Sequence, residues 1–179
     1  MKDGQDQLVA LLESVGPGLH RLLTKLTLRQ DVAEDLMQEL FINLAQSDGF
    51  TRAADPAAYA YRTAMNLAFT WRRAQQRTQA MLDGFRPAVP SSDGPLARLE
   101  ADEQVRLVLD AMNELPDLQR DALTLRYIQQ TAYETIAEML GKTPPQVRAL
   151  CHKAIGSLRR VCGGNSSTPT REGASHVEP

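Results

Sequence analysis

Basic residues without acidic neighbours mark a stretch near the carboxyl-terminal end of the chain. Residues 142–160 contain five cations and no acid: Lys142, Arg148, Lys153, Arg159 and Arg160. Four residues fall at i, i+1, i+4 and i+5, the spacing of one side of a helix: Arg148, Ala149, His152 and Lys153. A guanidinium can pair with guanine through two hydrogen bonds, and an ammonium can meet phosphate or base. The chemistry offered here is recognition of nucleic acid.

A second acid-free stretch mixes arginines with aromatic rings. Residues 59–77 hold four arginines and no acid: Arg62, Arg72, Arg73 and Arg77. Steps of three and four residues connect Tyr59, Arg62, Asn66, Phe69, Arg73 and Arg77. This combination is typical of single-stranded nucleic-acid binding, because bases stack on rings while cations follow the phosphates. The alternative is that Tyr59 and Phe69 are core residues and only the arginines are exposed.

Acidic residues define a third stretch. A helix opened by Asp31 would carry one apolar stripe: Val32, Leu36, Met37, Leu40, Phe41 and Leu44. Its other side would be polar and mostly acidic: Glu34, Asp35, Gln38 and Glu39. One acidic helix and two basic helices predict two kinds of partner, although the net charge is only −2 and the pI is near 5.9.

Catalytic and membrane functions find little support in the sequence. The histidines are dispersed, the two cysteines lack the spacing of a zinc site, and no phosphate-binding loop is present. We therefore expect no catalytic residue, metal or cofactor. No apolar stretch reaches spanning length, and the amino-terminal residues do not resemble a signal peptide. We expect a cytoplasmic protein with reduced thiols and no membrane insertion.

An all-α protein in two small domains is the architecture that would position these residues. Helix-forming residues dominate, and alternating β-branched runs are missing. Three prolines and two glycines within residues 83–95 predict a flexible linker. We therefore expect a helical domain at residues 1–80, a linker at 81–100, a second helical domain at 101–162 and a disordered tail at 163–179.

Local signals predict where the amino-terminal helices begin and end. The tripeptide at residues 16–18, Gly-Pro-Gly, is expected to interrupt a first amphipathic helix. Asp31 followed by Glu34 predicts a capping box at the start of the acidic helix. Asp55 followed by Pro56 predicts another helix start, with the helix running to about residue 77.

The carboxyl-terminal signals predict a helix-turn-helix. A helix near 103–114, with Val105, Val108, Leu109 and Met112 as its apolar residues, should end at Leu115-Pro116. Thr131 with Glu134 predicts a capping box for a short helix that Gly141 closes. Thr143 with Gln146 predicts a second capping box and a longer basic helix. An ordinary helical hairpin with a basic surface is the alternative for this pattern alone.

Two motifs together resemble sigma factors of the extracytoplasmic-function group, in the sigma-70 family of bacterial RNA polymerase. Residues 33–41, Ala-Glu-Asp-Leu-Met-Gln-Glu-Leu-Phe, and residues 58–68 with Arg72 and Arg73 are similar to region 2. Residues 115–148 are similar to region 4, through Leu115-Pro116, Arg120, the run 133–141 and Val147-Arg148. Departures include Tyr59 for a common Trp, Thr70 for a frequent Asp and Met65 for a frequent basic residue.

The resemblance implies a role for each stretch. The acidic helix would dock on the clamp helices of the polymerase β′ subunit through Asp31, Glu34, Asp35, Gln38 and Glu39. The helix from Pro56 would read the −10 element through Tyr59, Arg62, Asn66, Arg72, Arg73 and Arg77. The last helix would read the −35 element through Thr143, Gln146, Arg148, Ala149, His152 and Lys153. Further partners would be the β subunit, promoter DNA and an anti-sigma factor.

A stand-alone dimeric helix-turn-helix regulator is the alternative function. It would account for the carboxyl-terminal stretch, but it would not explain the acidic helix and the basic helix in the amino-terminal part of the chain. A regulator binds promoter DNA by itself, whereas a sigma factor needs core polymerase to bind well.

Overall fold

The computed structural model describes residues 2–83 and 96–163, and every regular element in that part of the chain is a helix. In chain order the helices are α1 (Lys2–Thr27), α2 (Gln30–Ala45), α3 (Asp48–Thr51), α4 (Pro56–Asp83), α5 (Leu96–Asn113), α6 (Asp117–Leu123), a π-helical segment (Thr124–Ile128), α7 (Tyr133–Leu140) and α8 (Pro144–Gly163). The all-α prediction is confirmed. Helices α1–α4 are called the N-terminal block below, and α5–α8 the C-terminal block.

The N-terminal block is built on α1, which packs on both α2 and α4. Four leucines of α1 at i, i+3, i+4 and i+7 have no exposed surface: Leu19, Leu22, Leu23 and Leu26. Each fully buried side chain of this size contributes roughly 1.5–3 kcal/mol by leaving water. From α2, Leu40 and Leu44 complete the contact, so the acidic side of α2 is left facing outward.

The prediction that residues 16–18 interrupt the first helix was wrong, because α1 runs through Pro17 without a break. Gly18 serves a close approach between helices instead. A Cβ at this position would collide with the hydroxyl of Tyr61 on α4. A larger residue here would have to displace the Tyr61 hydroxyl, whereas glycine leaves room for it.

The two helix starts of the N-terminal block differ from one another. Asp55 caps α4 as predicted, since its Oδ1 accepts from the backbone N–H of Ala58 at 2.9 Å. The capping box at Asp31 was wrong, because the N-cap of α2 is Arg29, two residues earlier, and Arg29 makes no side-chain capping bond. Asp31 pairs with Arg29, and this hydrogen bond lowers the pKa of the carboxyl. Glu34 accepts from the side chain of Gln30 at 3.1 Å.

The C-terminal block ends and restarts its helices close to the predicted places. Gly141 closes α7 in the left-handed conformation at φ 61°. At α8 half of the predicted box is present, with Gln146 Oε1 accepting from the N–H of Thr143 at 2.9 Å. The box at Thr131 was wrong, since Ala132 is the N-cap of α7 and makes no side-chain bond.

The two blocks touch through polar bonds as well as through helix packing of α4 on α5 and α7. Lys25 donates to the carbonyl of Ile128 at 3.0 Å, and Gln129 donates to the carbonyl of Gly18 at 3.4 Å. Helix α4 extends past residue 80 and α5 begins before residue 101. The rest of the predicted linker and nearly all of the predicted tail lie outside the described residues, so the domain division stays a prediction. In the described part of the chain, no helix has the length and apolarity needed to cross a membrane.

Candidate nucleic-acid and polymerase interfaces

Helix α8 has one buried and one exposed side. Val147, Cys151 and Ala154 lie in the core, where burial raises the pKa of the Cys151 thiol. The six predicted residues of this helix and its cap are all exposed, and they are called the recognition face: Thr143, Gln146, Arg148, Ala149, His152 and Lys153. A helix-turn-helix presents such a face, near the N-terminus of its second helix, to the major groove.

Two residues of the first helix turn of α7 contact Arg148. Glu134 Oε1 lies 3.7 Å from Nη2 of Arg148, and the Arg148 guanidinium carbon lies 5.1 Å from the ring centre of Tyr133. The guanidinium of Arg126 lies over the same ring at 4.5 Å. The sequence analysis did not predict this cluster. The signal for it was Tyr133 next to Glu134, an aromatic and an acidic residue shortly before a basic helix.

Helix α4 exposes four of its six predicted residues: Arg62, Asn66, Arg73 and Arg77. Tyr59 is half-buried beside Phe50, and its hydroxyl is 2.9 Å from that of Ser47. Phe69 is fully buried, so for this ring the core alternative is correct.

Arg72 was predicted on the DNA-reading side of α4, and its position is different. Its side chain is only 6% exposed and forms an ion pair with Asp110 on α5. Its Nη1 donates to the carbonyl of Leu26 at 3.0 Å. The spacing carried the signal, because Arg72 follows the buried Met65 and Ala68 at i+7 and i+4.

Arg120 of α6 reaches from the C-terminal block onto α4. Its Nη2 donates to the side-chain oxygen of Asn66 at 3.2 Å, and its guanidinium lies 4.7 Å from the ring centre of Phe69. The side chain is 1% exposed and pairs with Asp117 and Asp121. Burial raises the pKa of Asp121, although the charge and hydrogen bond of Arg120 oppose the rise.

Helix α2 exposes all five predicted residues: Asp31, Glu34, Asp35, Gln38 and Glu39. Phe41 was expected in the core stripe, but it is 45% exposed, and Ile42 beside it is 51% exposed. Together with Met37 and Gln38 these two side chains line a shallow depression. The outer surface of α2 is therefore acidic with an apolar patch, rather than acidic alone.

An apolar groove opens in the C-terminal block between α5, the π-helical segment and α8. Its cavity measures about 580 Å³. The lining is almost entirely apolar: Gln104, Val105, Val108, Leu109, Met112, Leu123, Tyr127, Ile128, Ile155 and Leu158. Val105 and Val108, which are apolar residues of the predicted helix near 103–114, are both exposed at the edge of this groove.

Family models match both blocks. The model described as sigma-70 region 2 matches residues 11–78, and the model described as sigma-70, region 4 matches residues 106–158. The sigma factor CarQ of Myxococcus xanthus is 26% identical over 168 residues, covering 90% of this chain and 93% of CarQ. An extracytoplasmic-function sigma-E factor of Haemophilus influenzae is 29% identical over 143 residues, covering 74% of this chain and 75% of that protein.

One solved structure is that of the sigma factor RpoE from Bartonella quintana with the anti-sigma factor NepR. It gives a TM-score of 0.49 at 23% identity and covers 91% of this chain and 98% of that chain. The family itself rests on the two sequence models. They match successive regions of one family, in chain order, and together they match more than half of the residues. The chain belongs to the sigma-70 family of RNA polymerase sigma factors, in the extracytoplasmic-function group.

Proposed function

We propose that this sigma factor reads the −10 element with α4 and the −35 element with α8, while α2 and the apolar groove bind core polymerase. One observation carries this division of labour. Each block exposes an acid-free face on a long helix, and each block also exposes a surface with apolar side chains. The protein would act in the cytoplasm and would catalyse no reaction itself.

The recognition face of α8 suits duplex DNA. Arg148 and Lys153 project from the exposed side of a helix whose first turn is free of acid. Arginine can form two hydrogen bonds with guanine in the major groove, and lysine can pair with phosphate. His152 and Ala149 lie between them and would contact base edges or sugar.

The exposed side of α4 suits a separated strand. Arg62, Asn66, Arg73 and Arg77 form a polar, cationic row along it. Arg72 could join this row only if Asp110 of α5 moved away, because its guanidinium is engaged between the two blocks.

Two surfaces suit the core enzyme. The acidic side of α2, with Phe41 and Ile42 beside it, would dock on the β′ clamp helices. The apolar groove of the C-terminal block would receive an apolar segment of the β subunit, as grooves between helices receive the apolar face of a partner helix. The anti-sigma partner that the resemblance implied stays a prediction.

Transcription with purified core polymerase tests the assignment of the two elements. Templates randomised at −35, and separately at −10, would be transcribed by the wild-type protein and by Arg148→Ala. We expect Arg148→Ala to cost about 1–3 kcal/mol of discrimination at one −35 position and to leave −10 preference unchanged. A change confined to −10 preference would contradict the assignment.

Binding without polymerase separates this function from the alternative regulator. A dimeric regulator would shift promoter DNA alone, and the shift would survive removal of core enzyme. We expect a sequence-specific shift only when core polymerase is present.

A further inference from the structure

Arg148 is held in place although it lies at the surface. Its side chain is 54% exposed, yet the ring of Tyr133 and the carboxylate of Glu134 both contact its guanidinium. In the described part of the chain, the side chains of His152 and Lys153 on the same face make no hydrogen bond and no ion pair. Gln146 is bonded only to the N–H of Thr143 at the start of the same helix. Arg148 is therefore the basic side chain of this face that a neighbouring helix restrains.

Tyr133 is itself fixed and can act as a platform. Its ring is partly buried against the core at the start of α7. The guanidinium of Arg126 lies over the ring, and Arg126 is anchored by donating to the carbonyl of Thr131 at 3.0 Å. Arg148 thus rests on a ring whose position is set by the π-helical segment and the turn before α7.

Stability gives a poor explanation for these contacts. Exposed ion pairs contribute little to folding, because solvent screens them and ordering two long side chains costs entropy. Their geometric effect is larger. A bidentate contact with guanine requires the planar guanidinium in one orientation, and a restrained arginine loses less freedom when it makes that contact.

We propose that Tyr133 and Glu134 are positioning residues that orient Arg148 for base reading in the −35 element. This inference rests on the proposed role of α8. Tyr133 fixes the plane of the guanidinium. Glu134 holds one edge of the guanidinium through Nη2. Its negative charge also repels a phosphate, so that Arg148 contacts a base and not the DNA backbone.

Variants at Tyr133 test the platform by its effect on sequence preference. Tyr133→Leu removes the π face, and Tyr133→Phe keeps it. In holoenzyme on templates randomised at −35, Tyr133→Leu should lower discrimination by roughly 3- to 10-fold at the position that Arg148→Ala affects. Tyr133→Phe should retain the wild-type preference. In the double variant Tyr133→Leu/Arg148→Ala, the loss should equal that of Arg148→Ala alone, because both remove one interaction.

The readouts distinguish failure of this inference from failure of the proposed function. If Arg148→Ala leaves −35 preference unchanged, the role of α8 fails. If Arg148→Ala flattens one position and Tyr133→Leu does not, the positioning role is overturned. A purely structural effect of Tyr133→Leu would weaken transcription equally from all templates, and this outcome also overturns the inference.

Glu134→Gln gives a second test that does not disturb the core, since Glu134 is exposed. Without the carboxylate, Arg148 becomes available to phosphates. The slope of log affinity against log salt should rise in magnitude by about one, and −35 preference should weaken. An unchanged slope together with unchanged preference would contradict the role of Glu134 even if Tyr133→Leu failed to fold.

Discussion

At the scale of single residues, Arg120 connects α6 to α4. Its guanidinium lies between Phe69 and Asn66 of α4 and two aspartates of its own helix. Asp121 is the buried partner, with 7% of its side chain exposed, and Asp117 lies at the surface. Desolvation of Asp121 outweighs the attraction of Arg120, which is why the pKa of Asp121 is raised.

Arg120→Ala should lower the free energy of unfolding by about 3–5 kcal/mol at neutral pH, because it leaves a buried carboxylate without its cation. The loss should be smaller in acid. A carboxyl whose folded pKa is raised stabilises the folded state while protonated, and this contribution disappears as pH rises through the folded pKa. Removal of Arg120 raises that pKa further. Urea unfolding at acidic and at neutral pH measures both effects.

The double variant Arg120→Ala/Asp121→Asn is the matched control for the buried charge. It removes the cation and the carboxylate together, so it should be more stable than Arg120→Ala at neutral pH and should lose most of the pH dependence. Equal stability of the two variants at both pH values would show that the unpaired carboxylate of Asp121 is not the source of the cost.

At the scale of the element, α2 combines acids and exposed apolar side chains on one surface. Reversal of two exposed acids, in Asp35→Lys/Glu39→Lys, should weaken binding to core polymerase while leaving helicity unchanged. Part of the loss should disappear at high salt, because charges at the surface are screened within about 8–10 Å at ordinary ionic strength. Titration of labelled core polymerase at low and high salt measures this.

Glu13→Lys on α1, compared with the single reversal Glu39→Lys on α2, is the control for the change of net charge, since Glu13 is also exposed and lies on another helix. It should bind core polymerase like the wild-type protein. If the α2 variant and this control bind equally well, α2 is not the docking surface.

The packing of the two blocks on each other conflicts with the distance between the two promoter elements. The names −10 and −35 imply about 25 base pairs, which at 3.4 Å each make about 85 Å of DNA. A compact protein of this length has a radius of gyration of about 16 Å. If α4 and α8 bind the two elements as proposed, the two blocks have to separate first, because α4 packs on α5 and α7.

Energy transfer between dyes on the two blocks should therefore fall when core polymerase and promoter are added. Dyes on cysteines at Ala10 of α1 and Arg159 of α8, which are both exposed, in a Cys162→Ser background, would report the distance. Asp110→Asn should lower the transfer in the free protein, because it removes the partner of Arg72. Asp48→Asn, which removes a fully exposed pair with Arg52, is the control and should leave the transfer unchanged. Constant transfer on binding would contradict the need for separation.

The sequence by itself determined the helices and most of their faces. The period of apolar residues predicts the buried side of α8 and hence the exposure of its recognition face, because burial on one side of a helix follows from local spacing. Asp55 and Gly141 mark helix ends through bonds within a few residues. The family could also be recognised from local sequence, because the region 2 motif and the region 4 motif each lie within one continuous stretch of the chain.

Only the tertiary structure decided which polar side chains on those faces are available. Arg72 pairs with a residue 38 positions away, and Arg120 bonds to one 54 positions away. No local pattern predicts that a second block will cover a cationic side chain. A charge can be buried only where a partner pairs with it, and here the partner is distant in sequence. The restraint of Arg148 likewise depends on the angle at which α7 and α8 meet, which their turn sets. At that angle, Arg148 is held by Tyr133 and Glu134, although the sequence pattern alone indicated a free side chain.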